Sequence, residues 1–274
     1  MVLLAVTPFV DAQTPAPTAP AKPDASAAKP DAPAKKPAAA PDAPVLKPVS
    51  AQTPAPGAKT PTEAEVAENL TGDIVADTKF YYSIGRHDKA LAMIESATGD
   101  MKENPDLKFT KANILALRRD WDGARKIYET LLPVWPDTST VGGLQTRFNL
   151  AEVYYVLGEH KKALDLYNQI WETSKDKKDT TVDYLHYKMF LTNLILKNKT
   201  EADTIYATFD EYSLEPSYYY ATAAKAFVAG RTEEGKDWIR SAWNIYNEVL
   251  NNAFNEALLE STLVDRSALE QDQQ

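Results

Sequence analysis

Three histidines, no cysteine and a scatter of carboxylates are what this chain offers to an acid, a nucleophile or a metal ion. The missing cysteine removes disulfides, thiolate zinc sites, a thiol nucleophile and a lipid-modified N-terminal cysteine. His87 and His160 fall at equivalent places in two similar segments, and His186 stands apart; none has a second ligand at metal-site spacing. There is no glycine-rich phosphate loop, no nucleophile elbow and no His-Glu-x-x-His. Each histidine is therefore expected to be structural or solvated, and the carboxylates to lie on solvated helix faces. The chain calls for no catalytic residue, no cofactor and no metal. Its other chemistry-bearing residues are aromatic, and rings at helical spacing serve cores as readily as binding surfaces. Successive residues of a helix point about 100° apart, so at least one ring of Tyr218-Tyr219-Tyr220 is expected to be exposed or in a groove.

The elements that position these residues announce themselves by repetition. Gly85-Arg86-His87-Asp88-Lys89-Ala90 has counterparts in Arg119-Asp120-Trp121-Asp122-Gly123-Ala124, Gly158-Glu159-His160-Lys161-Lys162-Ala163 and Lys197-Asn198-Lys199-Thr200-Glu201-Ala202. A fifth block, Gly230-Arg231-Thr232-Glu233-Glu234-Gly235, ends in glycine where the others have alanine. The anchors step by 34, 39, 39 and 33 residues. Around them the apolar residues keep helical period: Ala112, Leu115 and Ala116, then Trp121, Ala124, Ile127, Tyr128 and Leu131. The third unit repeats this with Leu150, Ala151 and Tyr154, then Ala163, Tyr167 and Ile170. Alanine at the anchor lets two helices approach closely, and an aromatic residue four places later fills the gap on the same face. Gly85, Gly158 and Gly230 suit turns that need a positive φ.

These blocks resemble the tetratricopeptide repeat family, about five helical hairpins over roughly Gly72 to Asn251. The likeness is closest in the second and third units; the fourth has Lys197 at the turn, and the fifth lacks its alanine. The resemblance implies an all-α fold, a right-handed α-solenoid of helix pairs. Ala253 to Val264 reads as a further amphipathic helix capping its end. In the family, the first helix of each pair lines a concave groove. On this sequence that places Tyr82, Phe109, Asn113, Phe148, Tyr155, Tyr187, Leu191, Tyr220 and Phe227 on the inner face. The groove so drawn is aromatic, not basic. The lysine, arginine and asparagine clamp by which co-chaperone members hold a terminal carboxylate is matched only by Asn113, so that activity is not carried over.

Composition divides the chain. Fourteen of its 18 prolines precede Thr62, and Gln13 to Pro61 is built largely from Ala, Pro, Lys, Thr and Asp. Such a segment has too few large apolar side chains to offset its ordering entropy, so residues 13–61 are expected to be a disordered linker. In polyproline II form, at about 3.1 Å per residue, it could reach on the order of 100 Å. Residues 1–12, with an apolar run ending near Val10 and small residues before Gln13, look like the back half of a secretory signal. Export to a bacterial envelope or periplasm is the corresponding expectation; if the run is not a signal, the protein is cytoplasmic. Thr62-Glu63-Ala64-Glu65 is a capping box marking where order begins, so residues 62–265 form the solenoid and 266–274 a frayed tail.

Net charge is −9; Gln13 to Thr62 carries +3 and Asp11 −1, which leaves −11 on the rest. A domain that acidic repels phosphate backbones and anionic bilayers, so neither nucleic acid nor membrane insertion is expected after signal cleavage. What is left is a non-catalytic scaffold binding a protein or peptide in its groove. Two other readings stay open: a structural adaptor that self-assembles through its terminal helix, and a module stacking glycans on exposed rings.

Overall fold

The computed structural model describes residues 61–175, 180–265 and 267. The expected signal remnant, the linker up to residue 60, the centre of the loop after Ser174 and most of the C-terminal tail lie outside the described residues. Among the described residues the chain is all-α and has no strand.

The first described helix opens at the capping box read from sequence. The Thr62 hydroxyl accepts from the Glu65 N–H, and the Glu65 carboxylate accepts in return from the Thr62 N–H at 2.7 Å. Helix α1 (Glu63–Asn69) follows, tied down where Arg86 donates to Glu63 and to the Pro61 carbonyl. Five helical hairpins then run in order: α2 (Ile74–Ser83) with α3 (His87–Ser96), α4 (Pro105–Leu117) with α5 (Trp121–Leu131), α6 (Val141–Val156) with α7 (His160–Ser174), α8 (Thr180–Ile195) with α9 (Lys199–Tyr206), and α10 (Ser217–Val228) with α11 (Thr232–Ile245). Each helix packs on its partner, and successive hairpins pack on one another, which makes an α-solenoid. A last helix, α12 (Glu248–Glu260), begins earlier than the expected Ala253 because Asn247 caps it, accepting from the Leu250 N–H at 3.0 Å, and ends before the expected Val264, two residues ahead of Thr262 with its φ of 57°.

One turn recurs in all five hairpins. The backbone N–H at Arg86, Asp120, Glu159, Asn198 and Arg231 reaches back to the carbonyl of Tyr81, Leu115, Tyr154, Asn193 and Ala226, at 2.8–2.9 Å. This is the Schellman closure, which puts the preceding residue in the left-handed region. Gly85, Gly158 and Gly230 take it without strain, with φ of 77°, 76° and 74°. Arg119 and Lys197 occupy the same place with φ of 62° and 60°, so geometry is kept where glycine is not.

The anchors are where two helices touch. Ala90, Ala124, Ala163 and Ala202 are buried, as is Gly235. The fifth hairpin departs from alanine for a visible reason: a Cβ on Gly235 would stand 2.7 Å from the Phe227 ring. Phe227 fills on α10 the space that a methyl would need on α11.

Candidate functional site

The first helices of the hairpins are the elements that position the residues of interest. Tyr155 lies near the end of α6, Tyr187 in the middle of α8 and Tyr220 near the start of α10, and each is at most 1% exposed. Their hydroxyls converge on α12. Tyr220 donates to the Asn251 carbonyl at 3.1 Å, Tyr187 to the Phe254 carbonyl at 3.4 Å and Tyr155 to the Ala257 carbonyl at 3.3 Å. The acceptors lie three residues apart on one side of α12, so the helix crosses three consecutive hairpins. A helical carbonyl keeps a second lone pair after its internal bond, and that is what the phenols use.

Phe254 is the centre of this contact. Its ring meets Tyr184 edge-on at 5.2 Å and lies 4.9 Å from Tyr187 and 5.9 Å from Tyr220. Asn251, Ala257 and Leu258 are fully buried beside it. Buried to 1% exposure and with the side chain in an aromatic cage, Phe254 is of the kind whose truncation costs about 3–5 kcal/mol.

One charge is buried in the same place. Lys188 of α8 is completely enclosed, with its ammonium 3.5 Å from the centre of the Tyr155 ring, 3.2 Å from a Glu152 oxygen and 3.8 Å from Glu260 of α12. Its Nζ has no hydrogen-bond partner of acceptable geometry, although Glu152 is within ion-pair distance. The Glu152 carboxylate instead accepts the Tyr167 hydroxyl. Burial raises the pKa of Glu260, with the Lys188 charge opposing it. Burial also raises the tyrosines of this layer, Tyr155, Tyr184 and Tyr187 well above ordinary phenol and Tyr220 in the same direction, so all stay protonated donors.

The nine inner-face candidates thus separate. Tyr155, Tyr187 and Tyr220 meet around α12. Phe148 and Leu191 are buried as well, Phe148 against Tyr167 and Tyr184. Phe227 is wedged over Gly235. Asn113 is buried and committed elsewhere, accepting from the Tyr128 hydroxyl and from Asn149 at 3.0 Å. Tyr82 and Phe109 are half-buried, Tyr82 against His87 and Phe109 between Tyr128 and Trp135. Of the tyrosine triplet, Tyr218 is half-buried, Tyr219 and Tyr220 are buried, and Tyr220 is the one facing α12.

One sequence expectation is corrected here. The layer is not purely aromatic, because Lys188 lies within it. Of the two roles expected for the histidines, the turn pair take the structural one: His87 and His160 are half-buried against Tyr82 and Tyr155, and burial lowers both pKa values. His186 stacks on Trp171 at 4.1 Å, and burial takes its pKa down to about 4. Among the described residues no three His, Asp or Glu side chains gather as a metal site, and no helix is long and apolar enough to cross a membrane. Asn251, Phe254, Glu152, Lys188 and Glu260 escaped the sequence reading. Only Lys188 left a signal, as a cation set between Tyr187 and Met189-Phe190-Leu191.

The hairpin geometry meets an independent finding at α4 to α7. Residues 107–175 match the family model for the tetratricopeptide repeat. With the helical hairpins around it, this match supports assignment to the tetratricopeptide-repeat family. The match covers the second and third hairpins, where anchor alanine, following tyrosine and turn are all in place. Tetratricopeptide repeats generally mediate protein–protein interaction and typically form non-catalytic scaffolds. No curated protein and no solved structure matches the chain.

Proposed function

We propose that this protein is a non-catalytic scaffold whose inner helical face holds a segment of a protein partner, in a bacterial cell envelope. The observation that carries the reading is that this face already holds a helix, by tyrosine hydroxyls on its backbone and an aromatic cage around Phe254. A surface built this way suits an amphipathic helix in a groove. The envelope assignment rests on the apolar run up to Val10 and on the Pro/Ala segment after it. The alternative of self-assembly through the terminal helix would have to use an α12 whose apolar side is turned to its own chain.

Tyr82 and Phe109, half-buried on the first two hairpins, are the places to test. Each is replaced, in the full chain, by a photo-crosslinking phenylalanine analogue, with Tyr212, 72% exposed in the loop before α10, as the comparison site. The expected result is an adduct with a second polypeptide from Tyr82 or Phe109. Adducts from Tyr212 alone, or from no position, overturn the reading.

A further inference from the structure

The resident helix reports what the face selects. We infer that α12 is a displaceable internal ligand, and that the external ligand is a partner helix presenting the same side: Asn, Phe, Ala and a carboxylate at successive steps of three residues. This rests on the scaffold reading above and specifies its partner. In α12 those places are Asn251, Phe254, Ala257 and Glu260.

Three features define that chemistry. The bonds from Tyr155, Tyr187 and Tyr220 go to backbone carbonyls, so they demand a helix and not a sequence. The cage of Tyr184, Tyr187 and Tyr220 demands one ring, at the place of Phe254. Lys188 demands a carboxylate two turns further on. Its buried ammonium has the Glu152 carboxylate at 3.2 Å, out of hydrogen-bond geometry, and the Tyr155 ring beside it, so a second carboxylate closing on it would supply the bond it lacks.

The same geometry says that α12 is an imperfect occupant. Glu260 stays 3.8 Å from Lys188 with a third of its side chain exposed, too far for a hydrogen bond. Two of the three phenol bonds, at 3.3 and 3.4 Å, are longer than ordinary hydroxyl bonds and so weak. Only Tyr246 and Asn247 join α11 to α12, both in extended conformation, and Asn247 caps α12 from within the segment. Rotation at these two residues lets the helix leave with its N-cap, at the cost of the Asn251 amide's bonds to the Ala242 and Tyr246 carbonyls at 3.4 and 2.9 Å. A partner whose carboxylate closes on Lys188 binds better than the resident does, and its apparent affinity is reduced by the fraction of time α12 is in place.

The test uses the full chain and a fluorescent synthetic peptide of residues 247–263 as the probe. Phe254→Ala in the protein weakens the resident helix, and the peptide is expected to bind that variant at least about ten-fold more tightly than wild type. Phe254→Ala or Glu260→Lys in the peptide is expected to weaken binding to the variant by about ten-fold or more. Equal affinity for both proteins, or indifference to both peptide changes, overturns the inference. Hydrogen exchange on the wild-type chain keeps the question answerable if the variant folds poorly. Amides of α12 should exchange through an opening that leaves α8 and α10 protected, and excess peptide should accelerate α12 alone. Exchange of α12 only together with α8 and α10 makes it core and sinks the inference; crosslinks from Tyr82 or Phe109 would still uphold the scaffold reading. A wild-type dimer, found by concentration-dependent mass and dissolved by the peptide, assigns the face to a second copy of α12 and overturns the partner helix.

Discussion

Gly235→Ala is the substitution that the repeat pattern recommends and the structure forbids. Alanine holds the anchor in the other four hairpins, and in a helix it is favoured over glycine by about 0.5–1 kcal/mol. At this position the added Cβ would lie 2.7 Å from two atoms of the Phe227 ring and 2.9 Å from a third. Phe227 is 9% exposed and cannot swing into solvent without uncovering that side of α10. Overpacking of this kind costs about 1–3 kcal/mol. The two contributions oppose, and the net expectation is a loss of about 1 kcal/mol, toward 2 if the ring cannot yield. In a Phe227→Leu background the clash is relieved, and the same Gly235→Ala change should stabilise by about 0.5 kcal/mol from propensity alone. The measurement is urea unfolding of the four proteins of the cycle, followed by far-ultraviolet circular dichroism, with the sign change between backgrounds as the readout. Stabilisation by Gly235→Ala in both backgrounds would refute the argument, because Gly235 would then be a tolerated exception and not a fit to Phe227.

Lys188→Met leaves Glu152 buried without its cation and should destabilise the fold by about 3 kcal/mol at neutral pH; adding Glu152→Gln should recover most of that loss in the same unfolding assay. His186 has a folded pKa of about 4, below that of an unfolded histidine, so the unfolded chain binds more protons between these values. Stability should be complete above about pH 6.5 and fall as pH drops toward 4, by about 1–2 kcal/mol after allowing for the partly exposed ring. His186→Phe keeps the stack on Trp171 and should flatten that part of the pH profile. Lys197→Gly relieves a left-handed residue at the fourth turn but loosens the unfolded chain, so a net gain of about 0.5 kcal/mol is expected, read as a rise in thermal midpoint.

What could be read from the sequence was local. The capping box at Thr62, the anchor at each helix crossing and the turn before it are set by residues within a few places of one another, and their recurrence turns five weak signals into one strong one. Lys197 and Arg119 show that even an off-pattern residue keeps the turn when the six-residue closure around it is intact.

The inner-face residues were legible as a set, because one helical side recurs in each unit, but their roles were not. Asn113 and Tyr128 share a hydrogen bond across a hairpin, whereas Tyr155 bonds to Ala257, 102 residues away. No periodicity relates α12 to α6, α8 and α10, since it belongs to no repeat. The sequence by itself determined the class of fold, the number of hairpins and where each one turns, because helix period, capping and close approach are short-range properties. Only the tertiary structure decided that the last helix lies across the first helices of three hairpins, that Lys188 and Glu260 meet there, and that Gly235 answers Phe227. Those are contacts between segments that meet only in the folded chain, and the pattern of either segment alone holds no trace of them.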